Sequence, residues 1–235
     1  MITLFIITYN EELILQFTIN HYRTRFPNCR IILFDNFSTD NTIKIAKDNN
    51  CEIILFDTNN QINENKYLEI KNNFWKSAKT DWVLICDADE LLDINEQSLL
   101  EEQQFGATII KPEAFNMVNL QDNLDYANIK HGVRCQDYDK LYLFNKKFIN
   151  QVNYLPGCHI ANPKGTLKVS NNTYKLYHYS YVNIEVMINK YSSYSKRLSP
   201  TNLINSWGLH YMQTSSQIEE TFKDMRNLAI KVRDD

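Results

Sequence analysis

The first 105 residues alternate short apolar runs with longer segments in which apolar residues recur at helical spacing. Runs rich in Ile, Leu, Phe and Val are typical of strands buried on both faces. Strands that alternate with helices predict an α/β fold with a mostly parallel sheet and right-handed crossovers. The predicted strands are Thr3–Thr8, Arg30–Phe34, Glu52–Phe56 and Asp81–Cys86, and the predicted helices are Glu11–Phe26, Thr39–Asn49 with Ser38 as N-cap, and Glu64–Lys79.

The second half of the chain has a different pattern, with shorter apolar runs and more turn signals. It predicts strands at Thr108–Lys111, Lys140–Phe144, Thr166–Val169 and Tyr174–Tyr179, and helices at Asn183–Arg197 and Ser216–Val232, the latter opened by a capping box of Ser216 and Glu219. The polar segment Gln121–Asp139 between them is predicted to be a loop over a site. No linker rich in Pro, Gly or Ser divides the halves, so we expect 1–235 to be a single domain with a smaller mixed second half.

Composition narrows the class of protein. The 25 Lys and Arg against 28 Asp and Glu give a formal charge of −3, which argues against broad capture of nucleic acid. Apolar runs are far shorter than the roughly 20 residues that cross a bilayer, so no transmembrane segment is expected. Five cysteines without a CxxC pair indicate reduced thiols and a cytoplasmic protein, with peripheral attachment to a membrane left open.

Glycine is absent from the first 105 residues, and all five glycines lie at Gly106 or later. Neither a Walker loop nor a GxGxxG dinucleotide loop is therefore present in the half that has the nucleotide-binding α/β pattern. If this half binds phosphates, it must do so by other means.

Three of the four predicted strands of the first half end in acidic or amide-rich segments, namely Thr8–Glu12, Asp35–Asn41 and Asp87–Glu90. Ligands of open α/β sheets bind beyond the carboxyl ends of the strands. Carboxylates repel phosphates, so a nucleoside diphosphate would bind there only with a divalent cation between them. Mg²⁺ and Mn²⁺ prefer oxygen ligands such as Asp87 and Asp89.

These residues carry a resemblance. The segments Thr8-Tyr9-Asn10-Glu11, Asp35-Asn36-Phe37-Ser38-Thr39-Asp40-Asn41-Thr42 and Cys86-Asp87-Ala88-Asp89-Glu90 resemble, in this order, the motifs of family 2-like glycosyltransferases with the GT-A fold, the last as the D-x-D element. The resemblance is good over about residues 1–115 and looser beyond. It implies a nucleotide-sugar-binding half at 1–115 and an acceptor-binding half at 116–235.

The resemblance also implies roles for individual residues. Asp35 would contact the nucleobase. Asp87 would face the ribose or the metal, and Asp89 would bind Mn²⁺ or Mg²⁺ directly, with His178 as a possible third protein ligand. The donor pocket would be framed by Thr8, Tyr9, Asn10, Glu11 and Ala88.

The catalytic base is not assigned by a motif, because His159 is followed by Ile160 where many relatives carry Glu. Asp137, Asp139 and His159 are the main candidates for the group that removes the acceptor proton, and Glu113 is another. We expect His21 to be solvated on a helix surface.

The function that the resemblance implies is metal-dependent transfer of a sugar from a nucleoside-diphosphate sugar to an acceptor hydroxyl, and inversion is the expected stereochemistry. A UDP-sugar is the favoured donor, with GDP- and dTDP-sugars as alternatives; the acceptor is a glycan, a lipid-linked molecule or a protein. The alternative from another class is a catalytically silent module that binds a nucleotide sugar or glycan. A nucleotidyltransferase would need a Gly-rich basic loop after the first strand, and an aspartyl-phosphate phosphatase would need its D-x-D motif there. The segment Thr8-Tyr9-Asn10-Glu11 is neither, which argues against both classes of enzyme.

Overall fold

A computed structural model describes residues 1–234 of the chain. In chain order the first half contains β1 (Ile2–Thr8), α1 (Glu12–Arg25), β2 (Arg30–Asp35), α2 (Thr42–Asp48), β3 (Glu52–Leu55), α3 (Glu64–Asn73) and β4 (Trp82–Asp87). These four strands are parallel, and Thr8 lies beside Asp35 while Ile7 lies beside Asp87. The register therefore brings the ends of β2, β1 and β4 to one edge of the sheet.

The second half extends the same sheet. It contains β5 (Glu90–Leu92), α4 (Glu96–Gln104), β6 (Ile109–Val118), β7 (His131–Arg134), β8 (Leu143–Asn145), β9 (Ile149–Gln151), β10 (Lys164–Gly165), β11 (Val169–Tyr181), α5 (Ile184–Arg197), α6 (Pro200–Ile204), α7 (Ser215–Leu228) and β12 (Ile230–Lys231). Within residues 1–234 the main sheet has ten strands in the order β12-β7-β6-β8-β4-β1-β2-β3, with β11 pairing both β5 and β6. The predicted α/β class, parallel in the first half and mixed in the second, is confirmed.

The core lies on both faces of this sheet because side chains alternate along each strand. On β1, Leu4 and Ile6 pack with the buried side chains of α1, such as Leu15. Phe5 points to the other face and packs with Ile70 of α3. Burial on both faces explains why the parallel strands are continuous apolar runs.

Three predicted helices differ in their bounds, and the last of them, predicted at 216–232, ends at Leu228 and is followed by β12. The helix predicted at 39–49 begins at Thr42 with Asn41 as N-cap, because the hydroxyl of Ser38 binds the carboxylate of Asp35 instead of capping the helix. The helix predicted at 64–79 ends at Asn73 and continues as the tighter 3₁₀ turn Phe74–Ser77.

Tertiary pairing changes the second half more. The strand predicted at 174–179 and the last residue of the one predicted at 166–169 belong to the single strand β11, which pairs with β6 on both sides of a register shift between Val169 and Thr173. At this shift the Ser170 hydroxyl accepts the Lys111 amide of β6. The predicted loop at 121–139 contains β7, which pairs with β6. The strand predicted at 140–144 is reduced to Leu143–Asn145, and the capping box of α7 is formed by Thr214 and Gln217 instead of Ser216 and Glu219.

The sequence pattern missed β5, and this strand explains why the expectation for His21 was wrong. The α1 helix packs against β5: the Tyr22 hydroxyl donates to the Glu90 carbonyl at 2.9 Å and accepts from the Leu92 amide at 3.1 Å. His21 is buried beside it, with Nε2 at 2.9 Å from the Leu92 carbonyl oxygen. Burial lowers the pKa of His21 to about 3, so the ring is neutral at physiological pH.

The missed helix α4 carries a buried carboxylate, Glu102, that holds the start of β11. Its oxygens accept the backbone amides of Asn171 and Asn172 at 2.8 and 2.9 Å and the Tyr174 hydroxyl at 3.0 Å. Burial raises the pKa of Glu102, but these hydrogen bonds outweigh it and the net shift is downward. The stabilisation is therefore present above the ordinary pKa of the carboxyl and is lost as the pH falls through the lowered value.

Among residues 1–234, the helices are all too short or too polar to cross a lipid bilayer.

We expect Glu102→Gln to lower the free energy of unfolding by about 1–3 kcal/mol, because an amide NH₂ would replace an oxygen that accepts backbone amides. Urea denaturation at neutral pH measures the loss. Glu101→Gln, an exposed neighbour on the same helix, is the matched control and should change stability by less than about 0.5 kcal/mol. Equal effects of the two substitutions would contradict this role for Glu102.

Candidate active site

The turn between β4 and β5 presents Asp87 and Asp89 at the edge of the sheet. It is anchored from two sides: the Thr18 hydroxyl of α1 donates to the Ala88 carbonyl at 2.5 Å, and the Tyr179 amide of β11 donates to the Asp89 carbonyl at 2.9 Å. Ala88 itself is buried in the core. Hydrogen bonds to α1 and β11 thus hold the turn in place.

A buried ion pair lies directly beneath this turn. Glu90 accepts the Asp87 amide at 2.9 Å with one oxygen and Lys140 Nζ at 2.8 Å with the other. The two side chains are 1% and 2% exposed. The Lys140 ammonium also lies over the rings of Tyr138 and Tyr142, 5.3 and 5.0 Å from their centroids. The pair joins the second half of the chain to the D-x-D turn.

Two further lysines meet the D-x-D carboxylates, and the sequence pattern did not identify either as a site residue. Lys71 of α3, 5% exposed, places Nζ 2.8 Å from one oxygen of Asp87 and 3.1 Å from the other. Lys190 of α5 places Nζ 3.0 Å from an oxygen of Asp89. Lys71 lies on the apolar face of α3, and a lysine among apolar positions is the sequence feature that could have identified it as a site residue.

The charges of this cluster shift one another's pKa values. Burial opposes ionisation of Asp87, but Lys71 outweighs it and holds the pKa of Asp87 well below its usual range. In the same way Lys190 and His178 lower the pKa of Asp89 against the effect of burial. Both carboxylates are therefore ionised at physiological pH.

His178 of β11 faces Asp89. Its Nδ1 lies 2.8 Å from the amide oxygen of Asn116, its neighbour on β6, and its Nε2 lies 3.8 Å from a carboxylate oxygen of Asp89. Burial lowers the pKa of His178, which favours the neutral ring. With Nδ1–H donated to Asn116, the Nε2 lone pair points toward Asp89, an arrangement typical of histidines that bind metals.

This donor set suits a divalent cation in part. The Asp89 carboxylate and the His178 imidazole converge, and both ligand types bind Mn²⁺. Residues 1–234 contain no cluster of three His, Cys, Asp or Glu side chains arranged to hold a metal. The predicted set of Asp87, Asp89 and His178 does not form such a cluster, and each of the two carboxylates contacts a lysine.

The loops after β1 and β2 are clasped together by the second motif. Asp35, 1% exposed, accepts the Ser38 amide at 2.8 Å, the Ser38 hydroxyl at 2.6 Å and the Thr8 hydroxyl at 3.1 Å. Asn10 has a left-handed φ of 55° and its side-chain oxygen accepts the Thr39 amide at 2.8 Å. These contacts fix the backbone on which Tyr9 and Glu11 stand, while the Asp35 side chain itself is occupied.

Glu11 completes the acidic group at the strand ends. One of its oxygens lies 3.4 Å from Lys190 Nζ, so Lys190 bridges Glu11 and Asp89. Burial is the main cause that raises the pKa of Glu11 to about 7; Lys190 opposes the shift, and Asp89 adds to it.

The candidates for the base line a cleft of about 390 Å³ next to Lys140. Asp137 and His159 both border it, and the His159 ring packs against Tyr138 with centroids 4.7 Å apart. Burial and then Lys140 lower the pKa of His159 to about 4, so it is neutral at physiological pH. Its Nδ1 is buried and has no hydrogen-bond partner within the described residues.

The other two acidic candidates are engaged by Arg134. Asp139 accepts the Ala114 amide at 2.8 Å with one oxygen and Arg134 with the other. Glu113 lies 3.8 Å from Arg134. Among the four candidates, Asp137 and His159 are thus the two that are not paired with Arg134.

The family model for glycosyl transferase family 2 matches residues 3–160, which include the D-x-D turn and His159. The chain belongs to glycosyl transferase family 2. The resemblance drawn from its motifs, and with it the GT-A type of fold, is confirmed.

The chain is also similar to a curated protein and to several solved structures. An uncharacterized glycosyltransferase of Rickettsia typhi is 28% identical over 203 residues, which are 83% of this chain and 65% of that protein. The crystal structure of S. aureus TarS in complex with UDP is 12% identical over 95% of this chain and 70% of that chain, with a TM-score of 0.48. A mannosyltransferase of Pyrobaculum calidifontis in complex with GDP-Man and Mn²⁺ is 16% identical over 62% of this chain and 44% of that chain, with a TM-score of 0.37. The chain therefore spans just under two thirds of the length of its curated relative.

We expect Lys140→Met to lower the free energy of unfolding by about 3–5 kcal/mol, because it leaves Glu90 buried and unpaired. Adding Glu90→Gln removes that charge, and the double variant should show a favourable coupling of about 1–3 kcal/mol in a urea-denaturation cycle. Lys147→Met, which breaks the exposed pair with Asp81, is the control and should cost at most about 1 kcal/mol. A loss for Lys140→Met no larger than that of the control contradicts this assignment.

Glu11 provides a prediction about pH. Its raised pKa means that the folded state holds the proton more tightly, so its contribution to stability is present below pH 4.5 and is lost as the pH rises to about 7. The stability of Glu11→Gln relative to the parent should therefore increase across this interval in denaturant titrations. Glu185→Gln, an exposed position on α5, should show no such trend. A pH-independent difference for Glu11→Gln would remove the basis for this prediction.

Proposed function

We propose that the chain transfers a sugar from a nucleoside-diphosphate sugar, with UDP-sugars favoured, to an acceptor hydroxyl, with the aid of Mn²⁺ or Mg²⁺. The observation that carries the proposal is the meeting of carboxylates and lysines where β1 and β4 end. The carboxyl ends of strands in an open α/β sheet are where ligands bind. Lys71 and Lys190 bring positive charge to this edge, where the leaving diphosphate gains negative charge.

Asp89 and His178 are the residues that would hold the divalent cation. When bound, such an ion neutralises charge on the leaving nucleoside diphosphate. Lys190 contacts Asp89 and Glu11 and is 32% exposed, so it is free to exchange these partners for a phosphate oxygen. Lys71 keeps Asp87 ionised and in place.

The remaining residues position the reactants. The clasp of Asp35, Ser38 and Thr8 holds the loop that carries Tyr9 and Glu11, which reduces the entropy lost on binding the donor. Because its ring is neutral, His159 is able to accept the proton of the acceptor hydroxyl, and Asp137 is the second candidate for this step. Removal of that proton on the face opposite the leaving group gives inversion.

A nucleotide-sugar-binding module without catalysis is the second candidate function. It is favoured by the engagement of Asp139 and Glu113 with Arg134, which removes two of the four candidate bases from the reaction. An assay of nucleoside-diphosphate release distinguishes this function from sugar transfer.

Purified protein incubated with UDP-, GDP- and dTDP-sugars and Mn²⁺ should release the nucleoside diphosphate, and Asp89→Asn should lower kcat by about 100-fold or more, because it weakens the grip on the cation that balances the leaving charge. The control is Asp81→Asn, an exposed carboxylate next to the opposite end of β4, which should retain activity. Calorimetric binding of a nucleotide without any turnover would support the silent module. Full activity of Asp89→Asn would contradict the proposed role of the acidic turn.

A further inference from the structure

Arg197, the last residue of α5, is a buried cation with unused donors. The side chain is 5% exposed, and its guanidinium carbon lies 3.2 Å from the centroid of the Tyr9 ring. Nε donates to the Asn60 carbonyl at 3.0 Å, but Nη1 and Nη2 are buried and have no hydrogen-bond partner among residues 1–234. Buried charged donors without acceptors are costly, so this arrangement indicates a ligand that supplies them.

The position of Arg197 along α5 shows which part of a ligand it faces. Lys190 lies seven residues earlier, two turns along the same side of the helix and about 10 Å away along its axis. Lys190 contacts Asp89, which follows β4, whereas Arg197 contacts Asn60, which follows β3. The helix therefore crosses the strand ends from β4 toward β3.

A nucleoside diphosphate placed along this path has two distinct ends. Its phosphates lie at the acidic turn with Lys71 and Lys190, and its base extends past Tyr9 toward the ends of β2 and β3. The rise of about 10 Å between Lys190 and Arg197 along α5 is comparable to the distance between the phosphates and the base edge of such a nucleotide.

We propose that Arg197 recognises the nucleobase of the donor through its carbonyl oxygens, and thereby selects uracil or guanine over cytosine and adenine. This inference rests on the proposed transfer from a nucleotide sugar. Guanidinium has only donors and no acceptor. Uracil and guanine offer oxygen acceptors at the edge where cytosine and adenine carry an amino group, and two sets of donors repel each other.

A phosphate is the other group that a guanidinium binds well. The geometry favours the base, because the stack on Tyr9 and the bond to the Asn60 carbonyl hold Arg197 at the β3 side of the sheet. The acidic turn at the β4 side already has two lysines of its own. Inorganic pyrophosphate serves as the probe that separates the two possibilities.

Isothermal titration calorimetry with the full chain and Mn²⁺ tests the proposal with UDP, GDP, CDP, ADP and pyrophosphate. We expect the parent to bind UDP about 10- to 100-fold more tightly than CDP, or GDP more tightly than ADP by the same factor. Arg197→Gln and Arg197→Lys should lose most of this preference, because the first removes the charge and the second the fork of donors. Both should bind pyrophosphate as the parent does.

Lys196→Gln is the matched control, since it removes one positive charge from an exposed neighbour on α5 and should retain the preference. Thermal melting confirms that each variant is folded. A parent protein that binds CDP as tightly as UDP, and ADP as tightly as GDP, overturns the inference without any variant. An equal loss of pyrophosphate and nucleotide binding in Arg197→Gln assigns Arg197 to the phosphates and also overturns it.

The outcomes also distinguish a failure of this inference from a failure of the proposed sugar transfer. If UDP or GDP binds and supports sugar release while Arg197→Gln keeps the base preference, the transfer proposal stands and the role of Arg197 fails. If the parent binds none of the nucleotides, both fail together.

Discussion

Charge balance at the ends of β1 and β4 is the constraint on which the arrangement of the site depends. Four carboxylates from the two strand ends meet there, and a buried charge is tolerable only with a partner. The carboxylates belong to Glu11, Asp87, Asp89 and Glu90, and the matching cations to Lys71, Lys140 and Lys190. Because the lysines come from three separate parts of the chain, balancing the charges also fixes how those parts pack.

The three lysines differ in how firmly they are held. Lys140 is sealed between Glu90 and two tyrosine rings, so it belongs to the framework of the turn. Lys71 is almost as buried but touches a carboxylate that is itself 40% exposed. Lys190 is 32% exposed and divides its contacts between two acids. Lys140 therefore has a structural role beneath the turn, whereas Lys190 is exposed enough to change its partners.

The helix α5 connects the second half of the chain to the candidate site. Lys190 and Arg197 lie on one side of it and reach the loops that follow β4, β1 and β3. In the motif after β2, Asp35 accepts hydrogen bonds from the hydroxyls of Ser38 and Thr8. A motif that marks the family thus serves here to shape the loop on which Tyr9 and Glu11 stand.

The sequence by itself determined the parallel first half, the acidic strand ends and the family. These follow from local periodicity and from short motifs, in which the interacting residues lie close together along the chain. Some elements of the second half were predicted poorly because tertiary partners decided them, as for β11, which continues through the polar residues 170–172, where Glu102 of α4 accepts two backbone amides. The lysines and Arg197 could not be found in the same way. The local sequence around a helical lysine does not show which distant carboxylate it contacts. Lys71 meets Asp87 16 positions away and Lys190 meets Asp89 101 positions away, and the packing of α3 and α5 over the sheet edge decides both contacts.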